Sequence, residues 1–224
     1  MTKLLICDPI APTAIDAIRT LGVAVDVGDD LTQDALADVI GDYDAIVVRS
    51  GTKVYASTLE RPGKLKAIIR AGVGLDNIET EAARAKDIQV YNTPCASSNA
   101  VAELTIGLLF SLARYIPRAD GSMKAGQWEK KQLRGTELLG KTLGVIGYGR
   151  IGKRVAEKAQ ALGMDVVVNT LKPRPENQMA FEQLLKRADY VTLHIPHTDQ
   201  THHLIGRAEL AMMKPRAYLV NTAR

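Results

Sequence analysis

The sequence predicts an α/β protein built from two doubly wound parallel sheets that one long helix joins. Its apolar fraction of 46% and charged fraction of 24% are ordinary for a globular chain. A length of 224 residues allows one large domain or two modest ones. Short runs rich in Val and Ile alternate with stretches of helical spacing, which is typical of parallel strands connected by helices. One long helical run divides this alternation into two halves.

The first half contains five predicted strands and three predicted helices. The strands are short, apolar and bounded by Gly, Asp or Asn, as expected of buried strands, and they cover residues 4–6, 23–27, 45–48, 67–69 and 88–90. Helical spacing between them predicts helices over residues 13–21, 31–40 and 79–86. Gly22 and Gly41 follow the first two helices, where a left-handed residue commonly ends a helix.

The second half begins with the strongest helix, over residues 99–116, which Pro117 is expected to stop. A loop around Trp128 should follow. The alternation then resumes with predicted strands over residues 143–146, 166–169, 190–194 and 217–221, and helices over residues 151–162, 181–188 and 209–213. We therefore expect two domains, residues 1–97 and 98–224.

Composition excludes several classes of protein. No apolar run approaches the roughly 18–20 residues that span a bilayer, and the first apolar run is a strand rather than a signal peptide because Asp8 and Pro9 interrupt it. Two cysteines form no disulfide framework, which indicates a reducing cytoplasm. A mixed net charge of +4 with 4% aromatic residues argues against nucleic-acid binding. No zinc-ligand spacing occurs, so no metal is expected.

A glycine loop is the strongest chemical signal. Gly147, Gly149 and Gly152 fit the pattern G-x-G-x-x-G, with a predicted strand before them and a predicted helix after them. That arrangement lets the backbone approach a pyrophosphate at a helix N-terminus. The alternative is a tight strand–helix turn that binds no ligand. The context favours dinucleotide binding.

The preference between NAD and NADP stays open at the level of the residues. A carboxylate at the end of the second strand of this motif normally holds the ribose 2′-hydroxyl, but here the strand ends in Asn169 and Thr170. Lys172 and Arg174 follow, and together with Thr170 they would accept the 2′-phosphate of NADP. The alternative is that both cations are solvated loop residues.

Seven segments, in order, resemble the D-isomer-specific 2-hydroxyacid dehydrogenases, most closely those that act on D-3-phosphoglycerate in serine biosynthesis. They are residues 49–52 (RSGT), 70–78 (RAGVGLDNI), 92–94 (NTP), 97–104 (SSNAVAEL), 140–144 (GKTLG), 192–196 (TLHIP) and 220–224 (VNTAR). The resemblance implies a flavodoxin-like substrate-binding domain over residues 1–97 and a Rossmann dinucleotide-binding domain over residues 98–224. It implies NAD as cofactor, a small hydroxyacid as substrate, and a homodimer formed through the long helix and the loop around Trp128.

The resemblance also assigns site residues. The substrate would be bound by Arg49, Ser50, Thr52, Gly72, Val73, Gly74 and Ser97. The cofactor would be bound by Val101, Gly147, Gly149, Arg150, Ile151, Gly152, Thr170, His194, Ile195, Pro196, Thr222 and Ala223. Arg224 matches the catalytic arginine, whose planar cation stabilises the oxygen that becomes negative during hydride transfer.

Some of these residues also have plain structural interpretations. Without the motif, a surface ion pair is the simplest role for Arg49 and Arg70. A turn or helix-cap role is expected for Asp76 and Asn77. His197, His202 and His203 are expected to be solvated loop residues.

The family's catalytic glutamate and histidine would follow Arg224, where the sequence ends. We therefore expect a C-terminally truncated dehydrogenase whose second sheet lacks its last strands. Residues 217–221 should form the fourth strand of the order 3-2-1-4-5-6 and leave an open edge. The alternative function is a non-catalytic dinucleotide-binding or corepressor-like module.

Overall fold

The computed structural model describes residues 1–171 and 176–223, which form two compact units, Met1–Ser97 and Ser98–Arg224. Each unit contains one parallel sheet. The fold class predicted from the sequence is confirmed. The predictions for Lys172, Arg174 and Arg224 concern positions outside the described residues.

The first unit is a five-stranded sheet in the order β2-β1-β3-β4-β5, with every pair parallel. This is the flavodoxin-like order. The strands are β1 (Lys3–Ile6), β2 (Ala24–Val27), β3 (Ala45–Val48), β4 (Ala67–Arg70) and β5 (Gln89–Asn92). The helices are α1 (Pro12–Thr20), α2 (Gln33–Val39, continued by a 3-10 turn over Ile40–Asp42) and α3 (Thr80–Arg84).

Both faces of the first sheet are buried because successive residues of a strand point to opposite faces. Leu5 and Ile46 pack with Leu36 of α2 on one face. Leu4 and Val47 face the other way and pack with α1. Burial on both faces explains why these strands are short continuous apolar runs rather than alternating ones.

The second unit is a four-stranded parallel sheet in the order β7-β6-β8-β9. Its elements are α4 (Ser98–Arg114), α5 (Ile116–Lys124), β6 (Thr142–Ile146), α6 (Arg150–Ala161), β7 (Asp165–Asn169), α7 (Phe181–Arg187), β8 (Tyr190–Leu193), α8 (Arg207–Met212) and β9 (Tyr218–Asn221). Helix α6 packs against α4 and the strands through Val155 and Ala159, both fully buried.

The position expected for β9 is wrong. We expected it to be the fourth strand of the order 3-2-1-4-5-6, beside the first strand, but β8 pairs with β6 and β9 pairs with β8. In the order 3-2-1-4-5-6 the third strand lies beside the second, which is β7 here. At that place one parallel bridge joins Val168 of β7 to Gln178. The amide of Val168 donates to Asn177 O (3.1 Å) and that of Met179 to Val168 O (2.8 Å). Among the described residues this bridge stands where the third strand of that order would lie, so β9 takes the fifth position.

The long helix ends before Pro117, as expected, but the expectation that a loop follows it directly is wrong. Helix α4 ends at Arg114, Tyr115 adopts a left-handed conformation (φ 53°), and α5 starts with Pro117 in its first turn. Proline is favoured there because the first-turn N–H groups have no partner within the helix. The chain therefore turns by 65° into a second helix instead of a loop. Among the described residues no single helix is long and apolar enough to cross a bilayer; only the bent pair α4–α5 meets that test, by length and composition alone.

Candidate functional site

The glycine loop after β6 begins with a turn that only glycine adopts easily. Gly147 has φ +92°, and a Cβ atom on it would lie 2.5 Å from the carbonyl oxygen of His194. Its amide donates to Asn169 O at 2.8 Å, which fixes the turn to the end of β7. The loop is therefore held close to the ends of two neighbouring strands.

The other two glycines meet opposite surroundings. A Cβ atom on Gly152 would overlap the carbonyl oxygen of Gly147, so α6 packs directly on the loop. A Cβ atom on Gly149, the N-cap of α6, would meet open space. This combination of a tight turn, an open approach and close helix packing is what a pyrophosphate-binding loop requires.

The N-terminus of α6 is suited to an anion. The helix has twelve residues and no acidic residue in its first turn, and its first N–H groups have no acceptor within the helix. The aligned peptide dipoles add partial positive charge there. The residues present therefore fit the pyrophosphate of a dinucleotide.

His194 directly follows the carboxyl end of β8 and lies beside the glycine loop, which follows the neighbouring strand β6. Its amide donates to Ile146 O (2.8 Å), and its Nε2 lies 3.0 Å from Thr192 Oγ1. Burial lowers the pKa of His194 to about 4, so the ring is neutral at pH 7. His197, His202 and His203 are exposed, as expected.

Thr105 contacts two of the candidate cofactor residues but was not itself predicted from the sequence. It is fully buried in α4, donates to Val101 O (2.8 Å), and its Oγ1 lies 3.1 Å from Thr222 Oγ1. The candidate residues Val101 and Thr222 are thus linked at the carboxyl end of β9. A threonine one helical turn after Val101 was the available signal.

In the first unit, candidate residues follow the carboxyl ends of β3 and β4. The turn at residues 72–74 is fixed through its carbonyl groups: Thr93 N donates to Gly72 O (3.0 Å) and Asn92 Nδ2 to Val73 O (2.6 Å). Within the described ranges, the amides of Val73 and Gly74 donate to no protein acceptor. Two adjacent N–H groups are therefore available to a carboxylate.

Within the described residues, neither Arg49 nor Arg70 forms the surface ion pair that was its simplest interpretation. Arg49 is exposed and its Nη1 donates to Pro9 O (2.9 Å). Arg70 is only 5% exposed, its Nε has no partner, and its side chain has no ion pair among residues 1–171 and 176–223. An uncompensated buried cation is costly, so an anionic ligand near it would be favoured.

The remaining predicted positions lie at the ends of their elements. Thr170 follows β7, and Ser97 directly precedes α4. Ile195 and Pro196 follow β8, next to His194. Arg150 and Ile151 form the first turn of α6. Asn77 lies in a turn, as expected, which Ile78 N closes by donating to Leu75 O (2.9 Å). Its side chain has a further role that was not expected, because Nδ2 donates to the carbonyls of Arg49 and Thr52 (both 2.7 Å) on a different loop.

Comparison with known proteins identifies one family. The model of the D-isomer specific 2-hydroxyacid dehydrogenase NAD-binding domain matches residues 106–224. The chain is 48% identical over 232 residues to a D-3-phosphoglycerate dehydrogenase of Methanocaldococcus jannaschii, covering 100% of this chain and 44% of that protein. It is 44% identical over 221 residues to a hydroxypyruvate reductase of Thermotoga maritima, covering 97% of this chain and 72% of that protein.

A solved structure agrees with these relatives. The NAD+-bound 3-phosphoglycerate dehydrogenase of Entamoeba histolytica superimposes with a TM-score of 0.82 at 32% identity, covering 100% of this chain and 72% of that one. The chain thus spans less than half the length of the first relative and about seven tenths of the other two.

Proposed function

Because the chain belongs to the D-isomer-specific 2-hydroxyacid dehydrogenase family, we propose that the protein transfers a hydride between C2 of D-3-phosphoglycerate and NAD. This reaction would place it in serine biosynthesis. The observation that carries the proposal is the glycine loop, in which Gly147, Gly149 and Gly152 each meet a different requirement of a pyrophosphate site.

In the second unit, the N-terminus of α6 and the open side of Gly149 would receive the pyrophosphate. His194, Ile195, Pro196, Thr222 and Ala223 would line the rest of the cofactor. Since His194 is neutral at pH 7, it would add no charge to the cofactor site. When bound, NAD supplies the carbon that accepts the hydride.

In the first unit, the free amides of Val73 and Gly74 would bind the substrate carboxylate. The buried cation of Arg70 and the exposed cation of Arg49 favour a substrate with a second negative group, and D-3-phosphoglycerate carries a phosphate as well as a carboxylate. Ser50, Thr52 and Ser97 would complete this site. These donors and cations support residues 1–97 as the substrate-binding domain.

Arg224 would be the catalytic residue, on the strength of its place in the family motif 220–224. A guanidinium donates two parallel hydrogen bonds to a carboxylate or carbonyl. Its role would be to stabilise the C2 oxygen as negative charge develops there.

Titration with NADH and with NADPH, followed by nicotinamide fluorescence, tests the cofactor. We expect both to bind, with NADH tighter. A chain that binds NADPH more tightly would contradict the choice of NAD, and a chain that binds neither would contradict the dinucleotide site.

Hydride transfer followed at 340 nm tests the reaction, on a version of the chain extended by strands that carry the family's catalytic glutamate and histidine, which would follow Arg224. We expect turnover of D-3-phosphoglycerate, with kcat/KM at least about 100-fold higher than for D-lactate, which lacks the phosphate. Equal rates on the two would contradict phosphate recognition. Binding of NADH without turnover of D-3-phosphoglycerate or hydroxypyruvate would contradict the proposed activity.

The proposed assembly is a homodimer in the cytoplasm. Exposed apolar side chains on α4, α5 and the following loop support a subunit interface there; they include Leu104, Phe110, Ile116, Met123 and Trp128. The cysteines Cys7 and Cys95 are free, which is consistent with a reducing compartment.

A further inference from the structure

We propose that Asp8 and Asn77 are positioning residues that hold loop 49–52 in the shape that binds the substrate's anionic group. The inference deepens the proposed function and rests on it. The side chains of Asp8 and Asn77 are buried, and neither is proposed to contact the substrate. Arg49 and Ser50, on the loop that they hold, are exposed.

Asp8 fixes the amide groups of the loop. Its carboxylate accepts hydrogen bonds from the amide of Arg49 and from that of Thr52, the latter at 3.1 and 3.2 Å from its two oxygens. The residue is only 8% exposed. Thr52 adds a third bond, from its Oγ1 to Cys7 O at 3.0 Å. Both ends of the loop are therefore hydrogen-bonded to the two residues that follow the carboxyl end of β1.

Asn77 fixes the carbonyl groups of the same two residues. Its Nδ2 donates to Arg49 O and to Thr52 O, both at 2.7 Å, and the residue is 7% exposed. These two acceptors determine which way its amide points. Arg49 and Thr52 thus have both their N–H and their C=O groups held by buried side chains.

The loop lies where a ligand site is expected in this topology. Strands β1 and β3 are neighbours, and the chain leaves them towards opposite sides of the sheet, β2 on one side and β4 on the other. Open parallel sheets bind ligands beyond the carboxyl ends of their strands at such a switch point. Asp8 follows β1 there and loop 49–52 follows β3.

Charge explains why Asp8 positions the loop instead of contacting the substrate. A carboxylate facing an anionic ligand would repel it, but both oxygens of Asp8 are buried and accept the loop's N–H groups. Burial of the Cys7 thiol, together with the negative charge of Asp8, raises the pKa of Cys7 to about 12. The neighbouring thiol therefore stays protonated and adds no negative charge. The exposed cation of Arg49 is the charged group of the loop that would contact the ligand.

The test compares Asp8→Asn with the wild-type chain by calorimetric titration of D-3-phosphoglycerate into protein saturated with NADH. Asn has the same shape but loses the charge and one acceptor. We expect D-3-phosphoglycerate to bind about tenfold more weakly, because the loop loses charge-assisted hydrogen bonds, while the affinity for NADH stays unchanged. Asn77→Ala, which removes both donors, should have the same effect and serves if Asp8→Asn fails to fold.

A double-mutant cycle separates positioning from general stability. If Asp8 acts through Arg49, adding Asp8→Asn to Arg49→Ala should cause no further loss of D-3-phosphoglycerate affinity. Asp44→Asn is the matched control, since the Asp44 carboxylate accepts from Lys3 N (2.8 Å) at the opposite end of the same sheet. It should leave both affinities unchanged.

Three results would overturn the proposal. If Asp8→Asn binds D-3-phosphoglycerate as tightly as wild type, this inference is wrong but the proposed function is not affected. The same holds if Asp8→Asn weakens D-3-phosphoglycerate binding equally in the wild-type chain and in the Arg49→Ala variant. A wild-type chain that binds NADH but not D-3-phosphoglycerate contradicts the proposed substrate, and this inference with it.

Discussion

Gly147, Gly149 and Gly152 are identical residues with three different physical reasons to be glycine. Gly147 needs a positive φ, Gly152 needs the absence of a side chain next to a carbonyl oxygen, and Gly149 faces open space. The first two reasons belong to the fold, whereas the third is meaningful only if a ligand approaches. A comparison of substitutions at Gly149 and Gly152 can therefore separate a ligand site from a tight turn.

We predict that Gly149→Ala keeps its free energy of unfolding within about 0.5 kcal/mol of wild type but weakens NADH binding. Its φ of −82° and ψ of −158° suit any residue, so only the ligand would meet the new methyl group. Gly152→Ala should lose more than about 2 kcal/mol of stability, because overpacking forces α6 away from the loop, and should lose NADH binding as well. Urea unfolding and fluorescence titration measure both quantities. Unchanged NADH affinity in Gly149→Ala would favour a turn without a ligand.

His194 should make stability depend on pH. Burial lowers its folded-state pKa to about 4, while the unfolded value is near 6.5. Between these values the unfolded state binds more protons, so the free energy of unfolding should fall as pH drops from about 6.5 to about 4, by up to about 3 kcal/mol.

The variant His194→Gln should flatten that slope, since it removes the titrating group. Urea unfolding at several pH values between 4.5 and 7 measures it. His203→Gln, at an exposed histidine, is the control and should keep the wild-type slope. A wild-type slope in His194→Gln would contradict the burial argument.

At the scale of elements, the packing of α7 on β6 depends on one missing side chain. A Cβ atom on Gly144 would overlap Leu184 Cδ2 and lie 3.1 Å from Ala188 Cβ. Leu184 is itself fully buried. The helix can lie close to the strand only because Gly144 leaves room for Leu184.

We predict that Gly144→Ala loses about 1–3 kcal/mol of stability by overpacking and Leu184→Ala about 2–5 kcal/mol by leaving a cavity. The double variant should lose less than the sum, because the new methyl group fills part of the cavity. Urea unfolding of the four proteins measures the coupling. Strict additivity would show that the two residues do not share this contact.

Element boundaries were largely predictable, and the failures have local causes. Strand β3 matches its prediction and most other elements differ by one or two residues at each end, since period and flanking Gly or Asn are local signals. Helix α5 was missed because proline is compatible with both the end of one helix and the first turn of the next. The left-handed Tyr115 between the two helices carries no sequence signal.

At the scale of the whole molecule, the two units are parallel sheets of related design. Each brings its candidate residues to the carboxyl ends of its strands, beside its own switch point. Most of the exposed apolar side chains named as a subunit interface belong to helices α4 and α5 of the second unit. Exposed apolar surface of this kind marks interaction sites.

We predict that the protein is a dimer in solution and that Trp128→Glu increases the monomer fraction. Trp128 is 77% exposed, so a charge there should leave the fold intact but disfavour an apolar interface. Leu21→Glu is the matched control, at a residue 78% exposed in the first unit, and should leave the mass unchanged. Light scattering after size-exclusion chromatography measures the mass. A wild-type monomer, or a Trp128→Glu dimer of unchanged stability, would contradict the interface.

The sequence by itself determined the α/β class, nearly every strand, the glycine loop and the family, because all of these depend on local periodicity or on residues close together in the chain. Only the tertiary structure decided that β9 takes the fifth position, that Arg70 is buried, and that Asp8 binds the amide of Arg49, 41 residues away. The physical reason is that strand order, burial of a charge and a hydrogen bond between distant loops depend on which segments pack together. No local pattern encodes that choice.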